Sequence, residues 1–459
     1  MCKSSERLRA LKIVDDSNAE RILHTVKSNT KGDHSKQKTS EEGTDGPKSE
    51  AEIHKWCDEV FARCSARGLK YQLSDLVLQV TVKWAGLGGM AMPFLYLSNV
   101  CPALKFVFHA FCDYNSVCLQ LLKTYNVLHL FSDLLLGCKP SFMTTLRVKQ
   151  GELRSILAST PKGNKRSRAK KALVKEFKEF CIAMIDEFEA VEMQPCLRHG
   201  CECMATPNVI PEDHAWVECV SPSCVHWSSQ GSRTGWLGHE NLVLILWAMA
   251  ARFKCPDLTF LECTPQLDLA FLTMLSGGRL IWHCAYLGPY NVGLPVVGER
   301  VWATAAGAGG KLMFRENPYA DELLVSCVYR KVLISPAVFL CASRSEVEKY
   351  LDEVNSTRDK IQPHPRGKRY RAEDYLGTSY QCRLDMHREA AAKLRLRDPS
   401  LLNTEFFYDV SQNVTWSRRP DGLLPRPLCS STVWCERLNR PICPWELLVA
   451  QGDFVFAKS

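Results

Sequence analysis

Strand-like and helix-like spacings of apolar residues alternate along most of this chain. Leu76 to Val82 alternates apolar residues with a β-branched bias, the pattern of a buried strand. A glycine cluster follows, and Met90 to Leu97 reads as a helix. Lys105 to Ala110 predicts a second strand, Asn115 to Tyr125 a helix, and Val127 to Leu136 a third strand. The pattern resumes with a strand at Trp216 to Val220 and a helix at Asn241 to Arg252. Further strands are predicted at Leu258 to Leu261, Leu280 to Cys284 and Val301 to Thr304. Strands separated by helices predict a parallel α/β sheet.

Other segments break the pattern. Lys27 to Ser49 is polar and charged, cannot bury enough surface to order itself, and is expected to be a disordered linker. Leu8 to Val26 before it predicts a short helix, and order is expected from Ile53. Met143 to Glu192 carries a dense basic run from Lys162 to Lys175, with helical periodicity from Ala172 to Phe188. The run reads as a solvated helix face, with a nucleic-acid contact or a nuclear-import patch as the sharper alternatives. After Gly310 the texture is irregular, and Lys360 to Arg371 is basic and interrupted by prolines.

At 459 residues, the chain is long enough for two or three domains with real cores. Hydrophobic residues at 46% and charged residues at 24% are ordinary globular values. A formal charge of +8 permits a nucleic-acid partner without demanding one. No apolar leader opens the sequence, and no apolar run reaches the roughly 18 residues of a membrane span. The 22 cysteines are therefore expected to be reduced thiols of an intracellular protein. Many, such as Cys118 and Cys181, are expected to be small core hydrophobes.

Residues with chemical potential fall at the predicted strand ends. Trp84-Ala85-Gly86-Leu87-Gly88-Gly89 lies between a strand and a helix, where glycines let the backbone approach a ligand closely. Asp113 ends the second strand, placed to hold the hydroxyls of a ribose. Asp133 is expected to end the third, placed to accept from an adenine amino group. Cys224 follows the strand ending at Val220, in a turn that would expose a thiol. Glu262 ends the next strand, where partial burial would let a carboxyl keep and donate its proton. Arg300 precedes another strand and can present a fixed donor to a carbonyl. Cys196, His199, Cys201 and Cys203 are crowded enough to bind zinc, with Cys219 nearby. Their spacing is not a clean Cys-x-x-Cys pair, and no metal is assigned. Cys224 and His226 stand too close on one loop to work as a protease nucleophile and base.

Glycine loop, acid, acid, Cys, Glu and Arg in this order resemble the cytosine-C5 DNA methyltransferase family over roughly Leu76 to Phe454. Trp84 to Gly89 resembles the family's Phe-x-Gly-x-Gly-Gly loop, Asp113 and Asp133 its ribose and adenine acids, and Cys224 the Cys of its Pro-Cys-Gln loop. Ser228 and Gly231 match the Ser and Gly that follow; Glu262 matches its Glu-Asn-Val glutamate and Arg300 the last Arg of Gln-x-Arg-x-Arg. Asp409 to Asn413, Arg440-Pro441, Glu446 and Gln451-Gly452 resemble its Arg-x-Leu-Thr…Glu…Gln-Gly-Phe-Pro region. Ser223 and Val225 stand where the family has Pro and Gln, and Cys263 and Thr264 where it has Asn and Val.

The resemblance implies a Rossmann-like methyltransferase sheet with a smaller, irregular target-recognition domain. It implies S-adenosylmethionine as cofactor, held by Trp84, Gly86, Gly88, Gly89, Asp113 and Asp133. Cys224, Glu262 and Arg300 would be catalytic, acting on a flipped cytosine of DNA, with transfer RNA or a binding-only role as the alternatives. A polar segment 1–52, a catalytic domain 53–309 with a basic insertion at about 140–195, a recognition domain 310–404 and a catalytic return 405–459 follow from the same alignment. A nuclear location is expected for a eukaryotic chain and a cytoplasmic one otherwise.

Overall fold

The computed structural model describes residues 44–45, 48, 52, 56–66, 76–86, 89–228, 231–307, 310–312, 314, 317–356, 372–414, 418–419, 422–426 and 431–451, apart from 101–104. The basic prolyl segment, Gly88 and the helix expected at 8–26 lie outside these residues. The chain forms two compact units. One takes the described residues of 71–286 and 300–319, the other those of 38–70, 287–299 and 320–459.

The first unit is built on a seven-stranded sheet. Its strands are β1 (Val77–Lys83), β2 (Lys105–Cys112), β3 (Val127–Phe131), β4 (His214–Val220), β5 (Leu258–Cys263), β6 (Leu280–Leu287) and β7 (Arg300–Gly307). The order is β3-β2-β1-β4-β5-β7-β6. Strands β1 to β5 pair in parallel, and β7 runs antiparallel to β5. This is a doubly wound, Rossmann-like sheet; the parallel pairing that the alternation of strand and helix predicts holds from β1 to β5 and is broken at β7. Strands β2, β5 and β7 run further than their apolar patterns indicate, because ladder bonds to neighbours continue past the alternating residues. β3 is shorter than expected. It stops at Phe131, and Asp133 caps a 3-10 turn, Leu134–Gly137, by accepting from Leu135 N.

Period-2 alternation sends Leu78, Val80 and Val82 of β1 to one face, where they meet Phe94, Phe108 and Leu122. Helix α1 (Met92–Val100) and helix α2 (Ser116–Leu122) belong to this layer. Asn115 caps α2 by accepting from Val117 N and Cys118 N, worth about 1 kcal/mol. The basic insertion folds as two helices, α3 (Pro140–Ser159) and α4 (Asn164–Ala183). Leu146, Leu153 and Leu157 of α3 and Leu173, Phe177 and Cys181 of α4 form apolar stripes at helical spacing. Both stripes join the core cluster that includes α5 (Asn241–Ala250) and α6 (Leu269–Leu275). Lys165, Arg168, Lys171 and Lys175 are left exposed on the outer face of α4.

In the second unit, β8 (Phe407–Asp409) pairs antiparallel with β9 (Arg418–Arg419) and β10 (Val433–Cys435), which pairs with β11 (Arg440–Pro441). Alternation again divides the strand: Tyr408 packs with Leu384 and Ala391 of α7 (Thr378–Arg397), and Phe407 with Leu424 and Leu447. Arg440 forks onto the fully buried Glu446, a residue of the C-terminal resemblance, at 2.8 and 2.9 Å. Within the polar stretch, Thr44–Asp45 pairs in parallel with Arg330–Lys331. No described helix is long and apolar enough to cross a membrane.

Candidate active site

Sheet order reverses between β1 and β4, and in doubly wound sheets the carboxyl ends at such a reversal open a crevice for ligands. The glycine loop leaves β1 and the Cys224 turn leaves β4, on the two sides of that point. Trp84 and Gly86 both take φ of 54°, in the left-handed region. For a bulky side chain this costs of order 1–3 kcal/mol, and burial of the Trp84 indole in the core holds it there. A side chain at Gly86 or Gly89 would meet nothing within 4 Å, so the loop faces open space.

Asp113 lies directly after β2, as predicted, and is only 5% exposed. Its Oδ2 accepts from Gly86 N at 2.7 Å and its Oδ1 from Asn115 N at 2.8 Å, while its own N–H donates to Phe131 O. One residue thus fastens together the ends of three strands: its carboxylate holds the chain after β1 and β2, and its backbone N–H holds β3. About four lone-pair sites exist on an ionised carboxylate, so these bonds leave acceptor capacity. Asp133 stands two residues past the end of β3 rather than on it, and one oxygen serves the cap.

Ser221 N bonds Lys83 O, continuing the β1–β4 register into the turn. Cys224 is half-buried, and its carbonyl accepts from Trp227 N at 3.0 Å and Ser228 N at 2.8 Å. Gly231 N donates to Ser228 Oγ at 2.9 Å, linking the two flanking residues of the resemblance. A Cβ on Gly231 would lie 1.8 Å from Val225 O, and one on Gly238 2.0 Å from the His226 ring. His226 is buried with Nδ1 against Ser232 and Thr234, and burial holds its pKa below the ordinary imidazole value. Trp227 packs edge-on to Trp236 and donates to Asn241.

Glu262 and Arg300 meet because of the antiparallel register, which sets Trp302 opposite Glu262 and Val301 opposite Cys263. Arg300 Nε lies 2.6 Å from Glu262 Oε1, and Ser221 Oγ donates to Oε2 at 2.8 Å. Both carboxylate oxygens therefore receive hydrogens. Arg300 Nη1 is buried with no hydrogen-bond partner among the described residues. Cys263 beside them is only 1% exposed, and burial pushes its thiol up to about 12.

Two contributions were not legible in the sequence. Gln150 of α3, only 2% exposed, donates its Nε2 to Trp236 O at 3.0 Å and Gly238 O at 2.9 Å. The insertion thereby grips the loop that follows Cys224; the polar residue in an otherwise apolar stripe was the available signal. Ser221, the second partner of Glu262, carried none. Of the crowded Cys and His residues, Cys196, His199 and Cys203 come together with His129 of β3. Cys201 is exposed beside them, and Cys219 is buried within β4.

No family model matches the chain, and no curated protein sequence matches it. Among solved structures it is similar to a variant of Spodoptera frugiperda DNMT2, at 14% identity and a TM-score of 0.27 over 52% of this chain and 53% of that one. It is similar to S. pombe Dnmt2 methyltransferase at 14% identity and a TM-score of 0.32, over 61% and 65% of the two chains. A DNA modification methyltransferase encoded within an E. coli prophage aligns at 12% identity and a TM-score of 0.37, over 81% and 88%. The chain thus spans about half the length of the first of these structures.

Proposed function

We propose that the first unit transfers a methyl group to C5 of cytosine in DNA. The observation that carries this reading is the Cys224 turn beside the Glu262–Arg300 pair, with Arg300 Nη1 buried and unpartnered among the described residues. A buried donor without an acceptor calls for one, and the O2 carbonyl of a cytosine supplies it.

The glycine loop and Asp113 fit S-adenosylmethionine, because the loop opens on free space and the Asp113 carboxylate retains acceptor capacity for ribose hydroxyls. When bound, that cofactor supplies the methyl group. Asp133 keeps a second oxygen for the adenine amino group. A base inside a duplex is out of reach, so the cytosine must leave the stack. The Cys224 thiolate forms a bond to C6, and the displaced electron pair spreads from C5 toward N3 and O2. Arg300 stabilises the charge at O2, and Glu262, having taken a proton from solvent, releases Ser221 and donates that proton to N3. Once C5 carries the methyl group, a water molecule takes its proton, N3 returns its proton to Glu262, the C5–C6 double bond re-forms, and the C6–S bond breaks to return the thiolate.

A second reading, a binding-only relative, is favoured by the engagement of both Glu262 oxygens and by Val225 standing exposed where the resembled family has Gln. Labelled S-adenosylmethionine offered with duplex DNA or with transfer RNA separates the cases. Label in DNA that Cys224→Ala reduces to background is the expected result. Label in transfer RNA alone moves the substrate to RNA, and bound cofactor with no transfer establishes the binding-only reading.

A further inference from the structure

We propose that Cys196, His199, Cys203 and His129 form a structural zinc site that pins the segment after the insertion to the edge of the sheet. Their ligand atoms lie within 4.8 Å of one another. Cys196 Sγ is 3.5 Å and Cys203 Sγ 3.4 Å from His199 Nδ1. Tetrahedral zinc with Zn–S of about 2.3 Å and Zn–N of about 2.0–2.1 Å puts sulfur and nitrogen about 3.5 Å apart. The side chains therefore already stand at the edges of the coordination polyhedron.

The backbone is shaped for the same purpose. Cys196-Leu197-Arg198-His199-Gly200 makes a tight turn, with Gly200 at φ of 68° and its N–H donating to Cys196 O. Antiparallel pairing of Met193–Pro195 with Glu202–Met204 brings Cys203 back beside the turn. His129 arrives from β3, with its ring 5.1 Å from that of His199 and its buried Nδ1 lacking a hydrogen-bond partner among the described residues. Two thiolates and two imidazoles select zinc, and four protein ligands leave no position for a reacting water.

Such a site acts on the fold. Leu197 N donates to Leu130 O at 2.8 Å, so the turn covers the open edge of β3. Cys196 packs with Ala110, Cys112 and Phe131 at the ends of β2 and β3, immediately before Asp113 and Asp133. A metal there ties His129 to a hairpin more than sixty residues away in sequence and stiffens the strand ends that carry both acids. The inference does not depend on methyl transfer.

The test is metal analysis of the full chain purified without an affinity metal column and dialysed against EDTA, then of the same chain refolded with zinc. About one zinc per chain that survives dialysis or rebinds on refolding is expected. Cobalt in its place should give the visible bands of a tetrahedral thiolate site. Cys201→Ser should keep the metal, whereas Cys196→Ser and His129→Asn should lose it or bind it at least about tenfold more weakly. Absence of stoichiometric metal from the wild-type chain in both preparations overturns the site, and that result needs no variant to fold. Retention by His129→Asn with loss from Cys201→Ser overturns the ligand set. A Cys196–Cys203 disulfide under reducing purification, with no zinc, overturns it as well.

Discussion

Replacing Gln150 with Leu keeps the volume of the side chain and removes both bonds to the loop after Cys224. Gly238 O also accepts from Asn241 N, so it retains one donor and loses about 0.5–1.5 kcal/mol. Trp236 O has no other donor among the described residues, and an orphaned buried carbonyl costs about 1–3 kcal/mol. The sum is about 2–4 kcal/mol. At about 2–4 °C per kcal/mol for a unit of 150–250 residues, that lowers Tm by roughly 4–16 °C. Differential scanning fluorimetry of wild type and Gln150→Leu reads it directly, and the labelled-transfer assay run beside it tests whether the loop also loses alignment. The insertion would hold Cys224 in place only if both fall. A Tm shift under about 1 °C with unchanged transfer would refute the claim that α3 anchors this loop.

Asp113→Asn turns one acceptor into a donor facing Gly86 N or Asn115 N, and is expected to weaken S-adenosylmethionine binding about tenfold or more by calorimetry; an unchanged Kd removes Asp113 from the site. Gly231→Ala forces the backbone away from Val225 O and is expected to destabilise by more than about 2 kcal/mol in urea titration, with a wild-type midpoint counting against the loop geometry. His226 is held neutral by burial, so below about pH 6.5 the unfolded chain binds more protons than the fold. Stability should therefore fall as pH drops through that range. His226→Gln should flatten this dependence, and an equal slope in both proteins would exclude His226 as its source.

Much of the sheet was legible because strand signals are local. Alternation at Val77–Lys83 and the apolar run at Leu258–Leu261 report the faces they bury without reference to any partner. The positions of Trp84, Asp113 and Cys224 followed, since a residue past the end of a buried strand must lie at the sheet's edge, and Glu262 sits in the ladder itself, one residue before β5 ends. Asp133 shows where this reasoning stops. Its neighbours Leu134 to Leu136 are apolar enough to read as strand, but the Asp133 carboxylate caps Leu135 N and turns the chain into a 3-10 helix instead.

What the sequence by itself determined was the alternation of strand and helix and the chemistry waiting at each strand end. Tertiary structure alone decided which of those groups meet. Arg300 reaches Glu262 through an antiparallel register, Gln150 reaches Trp236 across 86 residues, and His129 joins Cys196 from a strand 67 positions earlier. Hydrophobic periodicity records burial, which each residue experiences singly. A hydrogen bond or a ligand set depends on two or more distant residues at once, and no local pattern encodes that pairing.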